Sequence, residues 1–128
     1  MLNEKREHLD KLPGVKLPEE MKITTDLEES IRGAELLVLA VPSPFTRSTA
    51  HAMAPYVEKS QIIVNVAKGI EEGTLMTLTD IIEEEIPACR AAVLSGPSHA
   101  EEVGRGLPTT VVAGAMTGRR RGLSRIFL

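Results

Sequence analysis

Three uninterrupted apolar runs constrain this chain more than any other feature: "ELLVLAVP" at 35–42, "QIIVNVAKG" at 61–69 and "AAVLSGP" at 91–97. None alternates apolar with polar residues. A strand with one wet face must alternate, because successive side chains point to opposite sides of a sheet. Runs without alternation read as strands covered on both faces, the usual condition of parallel strands.

Helical segments separate them. "TDLEESIRGA" at 25–34 has Thr25 or Asp26 as cap, Glu28 and Glu29 in its first turn, and Gly33 as C-terminal stop. "FTRSTAHAMAPYV" at 45–57 is a helix of mixed quality. "TLMTLTDIIEEEI" at 74–86 places Leu75, Leu78, Ile81, Ile82 and Ile86 at helical spacing. Lys22 to Thr24 is a short strand candidate and "PTTVVAGA" at 108–115 a weaker fourth strand. The two prolines and one glycine of "LPGVKLPEEM" predict an ordered loop with turns. Strand and helix alternating in this way indicate an α/β fold with a doubly wound, mostly parallel sheet.

Composition narrows the function. The 128 residues suffice for one domain. Aromatic residues make up 2%, the net charge is -3 and the pI is near 5.6. A nucleic-acid surface needs stacking rings or a basic patch, so nucleic acid is not an expected partner. No run reaches the ~18 apolar residues of a membrane helix, and the charged N-terminus has no signal core. The single cysteine, Cys89, cannot form an internal disulfide, and no Cys/His cluster has metal spacing. A reducing cytoplasm fits.

Polar features follow each of the three runs: Pro42-Ser43-Pro44-Phe45, Lys68-Gly69 and Gly96-Pro97-Ser98-His99-Ala100. Open α/β sheets bind ligands outside the carboxyl ends of their strands. Lys68, between the small Ala67 and Gly69, supplies a point charge for a phosphate or a developing alkoxide. A solvated lysine at a strand end is the competing explanation. Gly96 permits close backbone approach. Ser98 and Glu101 have the spacing of a capping box, and helix capping alone would account for both. Phe45 reads equally as a cofactor-facing ring or as a core contact. His51 and His99 have no partner at triad spacing and are read as structural or surface residues. Glu83 to Glu85 reads as a solvated helix face, and Arg119 to Arg121 as part of a disordered tail.

Taken in order, "LPGVKLPEEMKITTDLEESIRGAELLVLAVPS", "NVAKGIEEGT" and "VLSGPSHAEEVGRGLPTTVV" resemble the bacterial-type NAD(P)-dependent glycerol-3-phosphate dehydrogenases across roughly residues 10–114. The resemblance implies a Rossmann-like domain holding NAD or NADP, with a C-terminal all-helical domain completing the active site. It implies hydride transfer between sn-glycerol 3-phosphate and dihydroxyacetone phosphate, a step toward glycerophospholipids. It assigns Lys68 to both cofactor and substrate, Gly96 and Ser98 to the substrate, and Ala100 and Phe45 to the cofactor. It also implies a phosphorylated small-molecule substrate and a homodimer of the full-length enzyme.

Two departures stand out. No G-x-G-x-x-G occurs in the 128 residues, so the backbone cradle for a pyrophosphate is missing. The family's proton-accepting lysine belongs to the helical domain, so no catalytic residue is assigned here. The expectation is a fragment: residues 1–114 a partial dinucleotide-binding domain without its first βαβ unit and without the helical domain, and 115–128 an irregular tail. Such a chain alone is expected to be inactive and to bind nicotinamide nucleotides weakly or not at all. The alternatives are a related hydroxyacid or ketopantoate-type dehydrogenase domain, or a non-catalytic remnant.

Overall fold

A computed structural model describes residues 2–116 and 123–127. The chain begins with the short helix α1 (Leu2–Lys5), and helix α2 (Leu27–Ile31) leads into strand β1 (Leu36–Leu39). A 3-10 turn (Ser43–Phe45) runs into helix α3 (Thr46–Met53) and strand β2 (Ile62–Asn65). Helix α4 (Leu78–Glu85), strand β3 (Arg90–Ser95), helix α5 (Ala100–Gly104) and strands β4 (Val112–Met116) and β5 (Leu123–Phe127) complete the order.

Helix starts follow their cap chemistry. Asp26 accepts the Glu29 N–H at 3.0 Å and opens α2, while Gly33, at φ +76°, lets the chain turn away after it. Thr77 caps α4 by accepting the Asp80 N–H at 3.3 Å, and its hydroxyl donates to Asp80 Oδ2 at 2.6 Å. Leu75 therefore lies before the helix rather than on its apolar stripe. It has φ +59° and is 72% exposed.

The five strands lie in sequence order in one sheet. β1, β2 and β3 pair in parallel, with Leu37 beside Ile63 and Ile63 beside Ala91. β4 pairs antiparallel with β3, and β5 antiparallel with β4. The expected Rossmann-like α/β architecture is present, its parallel strands β1–β3 extended at one edge by two antiparallel strands into a mixed sheet. After the short helix α5 and its flanking loops, the chain enters β4 beside the carboxyl end of β3, with Ser95 opposite Val112.

Two further expectations change. Lys22–Thr24 is not in a strand, and among the described residues it pairs with none of the five strands. Leu123–Phe127 is a strand where an irregular tail was expected, because the open edge of β4 offers backbone groups to pair. The run Arg119–Arg121 falls outside the described residues.

The core lies on one face of the sheet. Ile31 of α2, Ala50 and Met53 of α3, and Ile82 of α4, with Ile86 just beyond it, pack on Leu37, Leu39, Ile63 and Ala91. Ile63 and Ile82 are fully buried, each contributing about 1.5–3 kcal/mol relative to an exposed position. Buried Gln61 ties β2 to the end of α2, donating to Ile31 O at 2.9 Å and Ala34 O at 2.7 Å. The N-terminal loop is ordered as expected. The Arg6 guanidinium donates to the carbonyls of Pro18, Glu19 and Met21, and Val15 and Leu12 pack against Gly104 of α5.

Candidate functional site

The polar turns gather beyond the carboxyl ends of β1, β2 and β3. β2 stops at Asn65, three residues before Lys68, so the strand itself does not carry the lysine. Buried Asn65 makes the transition. Its Nδ2 donates to Ala67 O at 3.0 Å, and its Oδ1 accepts the Ala67 N–H at 3.2 Å. This Asx-type closure turns the chain outward. Lys68 emerges exposed, and its Nζ donates to Ser98 Oγ at 3.1 Å.

Ser98 does not cap α5. The N-cap position belongs to His99, whose side chain makes no capping bond. The Ser98 hydroxyl accepts from Lys68 and lies 3.3 Å from Gly96 O. The capping-box explanation for Ser98 and Glu101 therefore falls, because the helix starts one residue later than that spacing requires.

Gly96 has a packing reason of its own. A Cβ there would stand 2.5 Å from Thr110 O and 3.0 Å from Val111 Cα, so the close approach is to the chain entering β4. Gly69, at φ +121°, adopts a backbone conformation favoured only by glycine. A Cβ on it would stand 3.3 Å from Ser43 Oγ, which brings the first and second turns into contact.

Lys68, Ser98 and Ala100 line one open cleft of about 410 Å³. Its apolar walls are Val66, Leu94, Val103 and Val111, with Thr109 at the rim. The volume lies within the range of small-molecule sites. Of the sequence-predicted residues, this cleft unites Lys68, Ser98 and Ala100, while Gly96 and Phe45 do not line it. Phe45 is 59% exposed, which removes the core-contact explanation for its ring. Thr109 went unassigned at the level of sequence, although it stands in the quoted "GLPTTVV" stretch.

A charged cluster beside the site also went unseen. Arg47 of α3 grips Glu71 in a fork along one edge of its guanidinium, Nε to Oε1 at 2.7 Å and Nη2 to Oε2 at 2.8 Å. Its Nη1 donates to Glu85 Oε1 at 2.7 Å and reaches Glu84 at 3.3 Å. The guanidinium first, then the Thr74 hydroxyl, holds the Glu71 carboxyl at about 2. Arg47 and then His51 depress Glu85. Glu84 and Glu85 are thus arginine partners rather than a purely solvated face. His51, 3.0 Å from Glu85 Oε2, is on the surface as expected but has a carboxylate partner after all. Only folding joins these residues, so no local motif announces them.

Burial, with Glu83 nearby, pushes the Cys89 thiol up, away from nucleophilic use. Among the described residues no group of three or more His, Cys, Asp or Glu could hold a metal. No described helix is long and apolar enough to cross a membrane.

Comparison with known proteins gives a consistent picture. Residues 1–120 match the family described as the NAD-dependent glycerol-3-phosphate dehydrogenase N-terminus. The chain is 68% identical over 117 residues to the glycerol-3-phosphate dehydrogenase [NAD(P)+] of Agathobacter rectalis, an alignment covering 91% of this chain and 35% of that protein. It is 54% identical over 112 residues to the enzyme of the same name from Fusobacterium nucleatum, covering 86% of this chain and 33% of that one. Among solved structures, the glycerol-3-phosphate dehydrogenase of Coxiella burnetii superposes with a TM-score of 0.83 at 28% identity, over 92% of this chain and 36% of its own. The chain spans about a third of the length of the curated relatives it matches.

Proposed function

The chain belongs to the family of NAD-dependent glycerol-3-phosphate dehydrogenases, whose N-terminal part it matches, and from this we propose that it forms part of the site where such an enzyme meets its phosphorylated substrate and the nicotinamide. The supporting observation is the 3.1 Å contact between Lys68 Nζ and Ser98 Oγ at the mouth of an apolar-walled cleft. A nicotinamide nucleotide, when bound, supplies or accepts the hydride. The residues present suit part of that group. Val66, Leu94 and Val111 offer an apolar wall for a ring, and Ala100 leaves room beside it. They do not suit its pyrophosphate, because the sequence has no glycine-rich cradle.

The chain's own residues bind and orient. The Lys68 ammonium compensates the negative charge of a phosphate or of an oxygen developing charge. Ser98 Oγ accepts from Lys68 and fixes where that ammonium stands. A ligand oxygen can take one of the Lys68 N–H groups, and the Ser98 hydroxyl, which donates to Gly96 O at 3.3 Å, can turn its proton to the same ligand. Gly96 acts on the substrate only through shape, by allowing the Ser98 turn to form. Phe45 offers its exposed ring to the cofactor from the neighbouring turn. No residue of this chain is assigned proton transfer.

On this reading residues 1–114 form the dinucleotide-binding portion. The substrate pair is sn-glycerol 3-phosphate and dihydroxyacetone phosphate, feeding glycerophospholipid synthesis in the cytoplasm, and the full-length enzyme is a homodimer.

The test is an NMR titration of the nitrogen-15-labelled chain with sn-glycerol 3-phosphate, with and without NADH. The expected result is saturable shifts at the Lys68, Ser98 and Ala100 amides. Absence of shifts at all three, or equal shifts with a non-phosphorylated hydroxyacid, overturns the reading.

A further inference from the structure

The connection that carries Lys68 is conformationally costly. Between β2 and α4 it holds Gly69 at φ +121°, Gly73 at +90° and Leu75 at +59°. A left-handed leucine is strained and persists only where its surroundings impose it. The backbone of Glu71 closes this loop on itself, donating to Met76 O at 2.9 Å and accepting the Leu75 N–H at 3.0 Å. The side chain of Glu71 is what ties the loop to the rest of the fold.

Its carboxylate is saturated. Arg47 takes both oxygens in a fork, and the Thr74 hydroxyl donates to Oε2 at 2.6 Å. Arg47 is 30% exposed and Glu71 20%, so solvent competes little with the fork. Arg47 sits on the first turn of α3, directly after the 3-10 turn whose Ser43 abuts Gly69. The β1–α3 and β2–α4 connections are therefore joined at two points, Ser43 with Gly69 and Arg47 with Glu71. Lys68 lies immediately before both loop-side contacts.

We infer that Arg47 is a positioning residue for Lys68: its bidentate hold on Glu71 sets where the Lys68 ammonium stands relative to Ser98. A bond serving only to dock α3 on α4 would need Glu84 and Glu85 alone, and the Glu71 fork would be superfluous. The inference rests on the reading of Lys68 as a ligand-facing group. Displacing such a group by 1 Å can cost on the order of 100-fold. A lysine keeps the charge but cannot reproduce the fork.

The experiment uses the 128-residue chain and three variants: Arg47→Lys, Glu71→Gln and Glu85→Gln. Amide hydrogen exchange at Glu71 and Leu75 is read without ligand. The affinity for sn-glycerol 3-phosphate is read from the Lys68 and Ser98 shifts. Arg47→Lys and Glu71→Gln are expected to speed exchange at both amides and to weaken binding at least roughly tenfold, while protection in β1 to β3 stays at the parent level. Glu85→Gln, which removes the charge of the nearer α4 partner and leaves the Glu71 fork intact, is expected to leave both readouts unchanged. Parent-like exchange and affinity in Arg47→Lys and Glu71→Gln overturn the inference. If Arg47→Lys does not fold, Glu71→Gln decides alone. A parent that binds no glycerol phosphate overturns the function reading, while the exchange comparison still judges the clamp.

Discussion

Lys68 Nζ donates to Ser98 Oγ at 3.1 Å, joining the turns after β2 and β3 across 30 residues of sequence. Neither side chain caps a helix, and beyond this contact the Ser98 hydroxyl makes only a long 3.3 Å bond to Gly96 O, so both can be altered with little effect on the fold. Ser98→Ala is expected to change stability by less than about 0.5 kcal/mol, where loss of a true helix cap costs about 1 kcal/mol. The same variant is expected to weaken glycerol-phosphate binding several-fold. Chemical denaturation beside the NMR titration checks both, and a cap-sized loss of stability would restore the capping role.

Gly96 behaves in the opposite way. Its Cβ position lies 2.5 Å from Thr110 O, a backbone atom that cannot swing aside. Gly96→Ala is expected to destabilise the chain by about 1–3 kcal/mol through overpacking. The urea midpoint reads this directly, and an unchanged midpoint would show that the β4 approach has slack.

Asn65 is buried and spends its amide on Ala67. Asn65→Ala removes both bonds and leaves the Ala67 amide without its partner, at an expected cost of about 1–3 kcal/mol. The Lys68 amide resonance should move as well, since the turn that ejects it loses its closure. A stable variant with an unmoved Lys68 signal would contradict this.

Acid should expose the Arg47 cluster. Glu71 titrates at about 2 in the folded chain, against 4.5 for an ordinary glutamate. The unfolded state therefore binds more protons as pH falls, and the stabilisation is complete above about pH 4.5 and lost progressively toward pH 2. Glu85 is depressed by the same guanidinium and acts in the same sense. The melting temperature of the parent is expected to fall more steeply over this window than that of Glu71→Gln. Parallel slopes would show that Glu71 is not held by Arg47 in solution.

The parallel core and two of its helices were legible in the sequence, and the reason is local. An unalternating run such as 61–66 marks a strand of the parallel core, but the expected cover on both faces is not met: Ile63 and Asn65 are buried while Leu36 and Val38 of the neighbouring β1 are exposed, because the core helices pack on one face only. Asp26 with Glu29, and Gly33 beyond them, announce α2 through contacts spanning a few residues. The strand-end rule then placed Lys68, Ser98 and Ala100 near one another without coordinates. Leu75 misled because apolar spacing does not register a positive φ, and Thr77 starts α4 only after the loop has turned.

The sequence by itself determined that β1, β2 and β3 run in parallel and which turns stand at their carboxyl ends, because side-chain period and cap chemistry act within a turn or a strand. Tertiary structure alone decided the rest. The antiparallel pairing of β4 with β3 is set by contacts between the two strands, Ser95 opposite Val112 and Ala92 opposite Ala115. The demand for Gly96 comes from Thr110. The partnership of Arg47 with Glu71 comes from two connections meeting in space. Each is a contact between segments distant in sequence, and a sequence records the residues of such a contact without recording that they touch.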